Sequence, residues 1–229
     1  MSLLSGSIQN QLRDVFTALP RPVTLLVFTR TNERDGASDS GDDTQALVEE
    51  LAAVSEGKVR VQVVDLETHP DEARMHGIDK VPAIVVLGGE SGRKDFGTRF
   101  FGAPAGYEFA TLIEDIRMAS TGTIDLRDAT RAALSHLTSP LHLQVFVTPT
   151  CPYCPRAVLL AHKMAMASDM VTADAIDATE FPELAEHYQV YGVPRTVINE
   201  TIHVEGAVPE PMLLAQLIPV LEANSPSAA

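Results

Sequence analysis

The two halves of the chain repeat one another at a constant offset of 112 residues. Residues 65–82 align with residues 177–194 without a gap, and both prolines of each segment match. Chance similarity between two α/β segments is the alternative, but proline constrains the backbone more than any other residue, so the matched prolines argue against it. The repeat therefore predicts that one fold occurs twice in the chain. The five identities are Asp65 with Asp177, Pro70 with Pro182, Ala73 with Ala185, Val81 with Val193 and Pro82 with Pro194.

Apolar periodicity extends this parallel over both halves. Each half has the predicted order αβαβαββα, which favours an α/β fold with a mixed four-stranded sheet and flanking helices in each unit. The predicted segments of the first half are 8–19, 23–29, 43–54, 59–65, a short helix from Pro70, and 83–87. Those of the second half are 126–137, 141–147, 152–167, 171–177, a short helix from Pro182, and 196–199. A further β-prone stretch and a last helix complete each half.

The repeat predicts two domains, which are residues 1–120 and residues 121–229. They join at the short polar segment 120–123, and Asp125 is expected to cap the helix that follows. Hydrophobic residues make up 45% of the chain, which is enough to fill a core in each domain.

The only two cysteines lie three residues apart, as Cys151-Pro-Tyr-Cys154, directly after a predicted strand. A cross-link that closes so short a loop restricts the unfolded chain little, so a structural staple is disfavoured. If Cys151 caps the following helix and Pro152 is its first residue, the helix dipole favours a thiolate on Cys151. Cys151 is then the attacking cysteine, and Cys154, one turn inside, is the resolving cysteine. Pro155 would remove the first hydrogen bond of such a helix.

Zinc is the alternative use of a cysteine pair, and it would need two more ligands. The histidines of the second half show no paired zinc-module spacing, so we predict no metal site. Pro152 and Tyr153 restrict the backbone between the cysteines and are predicted to contact substrate. Val193 and Pro194 are the second predicted substrate-binding element, because a strand edge beside them can pair with an extended peptide.

The net charge of −14 divides evenly between the two halves, which makes nucleic acid an unlikely class of partner. The start of the sequence lacks a secretory pattern, and no apolar run is long enough to span a bilayer. Two cysteines without a disulfide framework fit a reducing compartment. The sequence therefore predicts a cytoplasmic protein without a membrane partner.

The segment 148–155, with Tyr191-Gly-Val-Pro194 about 40 residues later, resembles the second unit of the protein disulfide oxidoreductases. These are glutaredoxin-like proteins built of two tandem thioredoxin folds. The resemblance implies Cys151 as nucleophile, Cys154 as resolving cysteine and Pro194 as a cis-proline. The residues alone favour an ordinary trans-proline, and the resemblance reverses that preference. It also implies disulfide-containing proteins as substrates and a flavoprotein thioredoxin reductase as electron donor.

Three departures from this family pattern bear on function. Residues 29–36, which match the active loop in the first unit, contain no cysteine, so the first unit is expected to be catalytically inactive and Pro82 to be architectural. Thioredoxins keep a buried Asp six residues before the first cysteine, and Val145 stands at that position. The glutathione contact of glutaredoxins is absent around Gly206. A further expectation is that Tyr188 and Tyr191 both pack around the proline loop.

The function predicted from these features is a thiol-disulfide oxidoreductase that acts mainly as a protein disulfide reductase, without a bound cofactor. One alternative is an electron relay to a peroxiredoxin, because an inactive unit before an active one also resembles the N-terminal region of the alkyl hydroperoxide reductase flavoprotein. No flavin-binding fingerprint occurs in the chain. Two further alternatives are a docking adaptor that uses the acidic first unit and an iron-sulfur cluster bridging two copies.

Overall fold

A computed structural model describes residues 3–30 and 40–223 and contains the predicted αβαβαββα order twice. No helix in these ranges is long and apolar enough to cross a membrane. The first set of elements is α1 (Gly6–Thr17), β1 (Val23–Thr29), α2 (Ser40–Val54), β2 (Val59–Asp65), α3 (Pro70–Met75), β3 (Ala83–Gly88), β4 (Lys94–Phe101) and α4 (Glu108–Thr121). The second set is α5 (Asp128–Ser135), β5 (Leu141–Val147), α6 (Cys154–Ala167), β6 (Val171–Asp177), α7 (Pro182–His187), β7 (Arg195–Ile198), β8 (Ile202–Glu205) and α8 (Glu210–Ala223).

Each set of four strands has the same pairing. In the first, β1 pairs in parallel with β2 and antiparallel with β3, and β4 pairs antiparallel with β3, which gives the order β2-β1-β3-β4. In the second, β5 pairs in parallel with β6 and antiparallel with β7, and β8 follows β7, which gives β6-β5-β7-β8. The predicted mixed four-stranded sheets with flanking helices are confirmed, and the fold is thioredoxin-like.

The central strands β1 and β5 bury apolar side chains on both faces because helices cover both sides of each sheet. Leu25 and Phe28 of β1 and Leu143 and Phe146 of β5 are fully buried. Burial of one such side chain contributes about 1.5–3 kcal/mol. The two central strands are therefore held firmly in their sheets. The loop after β5 starts from this fixed strand end.

The short helices α3 and α7 begin and end in the same way. A proline at the first turn starts each helix, where its missing N–H has no helical partner to lose. Each helix ends in a Schellman motif, in which the N–H of Ile78 binds the carbonyl of Ala73 and the N–H of Val190 binds that of Ala185, both at 2.8 Å. The left-handed position is Gly77 in α3 and Gln189 in α7. This shared ending turns the chain toward the proline loop that follows.

Contacts between Cα atoms divide the chain into two compact units. The first comprises residues 1–95, 99–104 and 112–123, and the second comprises residues 96–98, 105–111 and 124–229. The predicted polar linker 120–123 is wrong in its first half, because Ser120 and Thr121 belong to α4. Ser120 is fully buried, and its hydroxyl donates to the carbonyl of Arg21.

Asp125 does not cap α5, and that prediction is wrong. The N-cap is Arg127, whose N–H donates to the carboxylate of Glu210 at 2.8 Å. The helix therefore starts at Asp128, where a contact with α8 fixes the chain.

Candidate active site

The two cysteines lie at the end of the buried central strand β5. They form a disulfide, with their Cα atoms 5.5 Å apart. Cys154 is completely buried, and Cys151 is 7% exposed. Only Cys151 therefore presents any surface to an incoming sulfur atom, and its role as the attacking cysteine stays a prediction.

The helix after the cysteines starts later than predicted. α6 begins at Cys154 with Tyr153 as its N-cap, so Cys151 is not the cap and Pro152 is not helical. Pro155 gives the reason, because a helix starting at Pro152 would need a Pro155 N–H to bond the Cys151 carbonyl. When Cys154 comes first, Pro155 stands at the second position, where no helical bond is required.

The sulfur of Cys151 still lies at the N-terminus of α6. The N–H of Cys154, the first residue of the helix, points to the Cys151 Sγ at 3.1 Å. A backbone N–H directed at sulfur favours the thiolate, because it binds a negative charge more strongly than a neutral thiol. In place of the predicted capping position, the structure has a direct hydrogen bond from the first N–H of the helix to this sulfur.

A proline loop faces the disulfide. The Val193–Pro194 peptide bond is cis, as the resemblance implies, and so is the matching Val81–Pro82 bond of the first unit. The Cys151 Sγ lies 3.8 Å from the carbonyl oxygen of Val193. Pro194 is buried, and its own carbonyl accepts the N–H of Gly206 at 2.8 Å. The structure therefore brings Val193 and Pro194 next to Cys151.

The tyrosines near this loop and the cysteines differ in their exposure to solvent. Tyr188 is buried against Phe146 of β5, with ring centroids 5.6 Å apart. Tyr191 is 90% exposed, so the expectation that it packs around the loop is wrong. The Schellman turn at Gln189 explains the difference. Tyr188, before the turn, points into the unit, and the chain after the turn runs along the surface. Tyr153, between the cysteines, is also exposed, at 64%.

A cluster on β7 and β8 supports the proline loop. Arg195 follows the cis-proline, and its guanidinium donates to His203 Nδ1 at 3.0 Å and to the Glu205 carboxylate at 3.1 Å. These bonds tie β7 to β8 beside the disulfide. Sequence analysis did not single out Arg195, although its position directly after the proline motif was a signal.

Gly106 and Tyr107 were also missed. The N–H of Tyr107 donates to the carbonyl of Pro149 at 3.0 Å, two residues before Cys151. Gly106 has a φ of +59°, and a Cβ there would lie 2.8 Å from the Pro149 carbonyl carbon. Residues 105–111 belong to the second unit by their contacts. Their hydrogen bond to Pro149 holds the loop that carries Cys151. No sequence motif marks this contact.

The first unit keeps the cis-proline without the cysteines. The segment 29–36, which has no cysteine pair, lies mostly outside the described residues, which omit 31–39. Val145, at the position of the thioredoxin Asp, is fully buried and apolar. Within residues 3–30 and 40–223, no group of three His, Cys, Asp or Glu side chains is placed to bind a metal ion.

Comparison with known proteins agrees with this geometry. The thioredoxin domain family matches residues 141–219, and a family described as a domain of unknown function (DUF7088) matches residues 7–103. A protein disulfide oxidoreductase from Aeropyrum pernix superposes with a TM-score of 0.84 at 29% identity, covering 96% of this chain and 94% of that one. The chain is a thioredoxin-fold thiol-disulfide oxidoreductase. The recognition made from the sequence motifs is confirmed.

Three further proteins are similar to this chain. The N-terminal domain of the alkyl hydroperoxide reductase AhpF from Enterococcus faecalis has a TM-score of 0.79 at 24% identity and covers 97% of this chain, which shows a shared fold. An NADH dehydrogenase from Bacillus subtilis is 23% identical over 94% of the chain, and an alkyl hydroperoxide reductase from Xanthomonas campestris pv. phaseoli is 21% identical over 97%. The chain spans 38% of the length of each of these two relatives.

Proposed function

We propose that the chain reduces protein disulfides through a dithiol-disulfide cycle of Cys151 and Cys154. The observation that carries the proposal is the unequal exposure of the two linked sulfurs beside the proline loop, since only Cys151 can be reached. We propose that Val193 and Pro194, with Pro152 and Tyr153, contact the substrate segment. All of these residues lie in the proposed second domain, residues 121–229, which follows a proposed first domain of residues 1–120.

The cycle starts from the dithiol form. The Cys151 thiolate attacks one sulfur of a substrate disulfide, the substrate S–S bond breaks, and the leaving thiolate takes a proton from solvent. The Cys154 thiolate then attacks the Cys151 sulfur of the mixed disulfide and releases the second substrate thiol. The substrate has gained two electrons, and the protein is left with the Cys151–Cys154 disulfide. A dithiol donor must return two electrons before the next cycle.

Reduction of insulin by dithiothreitol tests this proposal. The wild type should accelerate the precipitation of the reduced insulin chains, and Cys151→Ser should lose the acceleration, because no thiolate attacks the substrate. Equal rates for the two proteins would contradict the proposal. Circular dichroism of both proteins provides the control that Cys151→Ser is folded.

A second candidate is an electron relay, and the relatives named alkyl hydroperoxide reductase favour it. Under this reading, a flavoprotein of the thioredoxin reductase class reduces the disulfide, and the chain passes the electrons to a peroxiredoxin in the cytoplasm. The test is consumption of NADPH in a mixture of such a reductase, this chain, a peroxiredoxin and hydrogen peroxide. The relay requires that consumption depends on the chain, and consumption that is the same without it would exclude the relay.

A further inference from the structure

The loops that carry the disulfide and the cis-proline are free of acidic residues in a strongly acidic protein. Residues 129–168 contain no Asp or Glu, although the chain has 31 acidic residues against 17 basic ones. Residues 187–199, which carry the proline loop, contain none either. These two stretches meet where the Cys151 Sγ approaches the Val193 carbonyl at 3.8 Å. The two segments that meet at the reactive sulfur therefore contribute no acidic side chain, unlike the protein as a whole.

Two of the five basic residues in the second half flank this meeting point. Arg156 is the third residue of α6, two residues after Cys154, and its side chain is exposed. It forms no ion pair with any described residue. Arg195 directly follows Pro194. Both cations follow the disulfide in sequence, Arg156 in the first turn of α6 and Arg195 directly after the cis-proline.

Arg195 is engaged with Glu205, but this pair can be exchanged. The Glu205 side chain is 81% exposed and that of Arg195 is 13% exposed, and a pair whose carboxylate lies in solvent contributes little to stability because water and salt screen it. A carboxylate from a bound segment can therefore take the place of Glu205. His203 Nδ1 also accepts from the guanidinium and holds Arg195 in place when Glu205 leaves.

Two tyrosines complete the surface. Tyr153 and Tyr191 are 64% and 90% exposed, and each precedes one of the two cations in the chain by three or four residues. Exposed aromatic side chains and arginines are the residues that contribute most to binding at protein interfaces. At physiological salt the Debye length is about 8 Å, so the nearby arginines act on a docked segment more strongly than the distant acidic surface does.

We propose that Tyr153, Arg156, Tyr191 and Arg195 form a docking surface that selects protein segments in which Asp or Glu residues flank the disulfide. This inference rests on the proposed disulfide reduction and adds a substrate class to it. The partner's carboxylates lie against Arg156 and Arg195, and its disulfide reaches Cys151 between them. The preference is electrostatic, so it weakens as salt is added.

The test uses the pre-reduced full chain and two peptides of equal length that each contain one disulfide, flanked by glutamates in one and by lysines in the other. Single-turnover rate constants are measured at low salt, and each is divided by the rate of the same peptide with 2-mercaptoethanol. This division removes the difference in intrinsic reactivity between the two disulfides. Two ion pairs whose carboxylates lie in solvent predict a preference of about fivefold for the acidic peptide.

Arg156→Glu should abolish or reverse the preference, and Arg195→Gln should reduce it. Lys163→Glu makes the same charge change on the same helix two turns away and should keep the preference. The ratio of the two rates does not depend on the reactivity of the Cys151 thiolate, because both peptides meet the same thiolate. Equal normalised rates for the two peptides with the wild type, or an equal loss of preference in Lys163→Glu and Arg156→Glu, would overturn the inference.

A neutral disulfide separates this result from the proposed function itself. Bis(2-hydroxyethyl) disulfide carries no charge, so it reports the thiol-disulfide cycle without the docking surface. If the wild type reduces it but does not distinguish the peptides, the docking surface is refuted and the reductase function stands. If the wild type reduces none of the three, the reductase function is refuted, and the docking surface with it.

Discussion

Substitution of Gly106 by Ala tests whether the approach of residues 105–111 shapes the active loop. The φ of +59° costs an L-residue about 1–2 kcal/mol. The new Cβ would also lie 2.8 Å from the carbonyl carbon of Pro149, so the loop must move. The movement weakens the hydrogen bond from Tyr107 N–H, which contributes about 1 kcal/mol. We expect the free energy of unfolding to fall by about 2–3 kcal/mol and insulin reduction to slow by about tenfold, since Cys151 lies two residues further on.

Gly57→Ala is the matched control. Gly57 has a φ of +82°, but a Cβ there has no atom within 4 Å, so this variant has the backbone strain without the steric overlap. It should lose about 1–2 kcal/mol in urea denaturation and keep its reductase rate. If Gly106→Ala matches Gly57→Ala in both stability and activity, the close approach to Pro149 does not position the loop.

Two further predictions concern the core. Tyr188→Phe removes a hydroxyl that accepts from the buried Gln144 amide at 3.2 Å and donates to Glu200, so stability should fall by about 1–2 kcal/mol; a change below about 0.5 kcal/mol in urea denaturation would contradict this network. Leu25→Ala and Leu143→Ala truncate fully buried residues of the two central strands and should each cost about 2–5 kcal/mol. Leu25→Ala should keep the insulin-reduction rate of the folded protein, and a rate that falls with it would show that the first unit takes part in catalysis.

Four strands were predictable from the sequence because their apolar and β-branched residues run between turn residues. The bounds of β1, β2, β5 and β6 match the predicted segments, since such a run determines a strand locally. The starts of α3 and α7 match for the same kind of reason, because proline fixes its own backbone. The cysteine pair was likewise apparent from its spacing.

The features that sequence analysis missed depend on contacts between distant residues. Ser120 is helical and buried because it bonds Arg21, about 100 residues earlier. The contact of Tyr107 with Pro149 joins segments about 40 residues apart that share no motif. The late start of α6 is different, because Pro155 already indicated it: a residue without an N–H cannot stand in the second turn without losing a bond.

The most direct test of the central claim is trapping with the two single-cysteine variants. Cys154→Ser and Cys151→Ser are each reduced, mixed with a protein disulfide, quenched with acid and examined by mass spectrometry. The account predicts a mixed disulfide through Cys151 in Cys154→Ser and almost none in Cys151→Ser, because Cys154 is completely buried. Equal trapping by the two variants, or trapping only by Cys151→Ser, would contradict the assignment of Cys151 as the attacking cysteine.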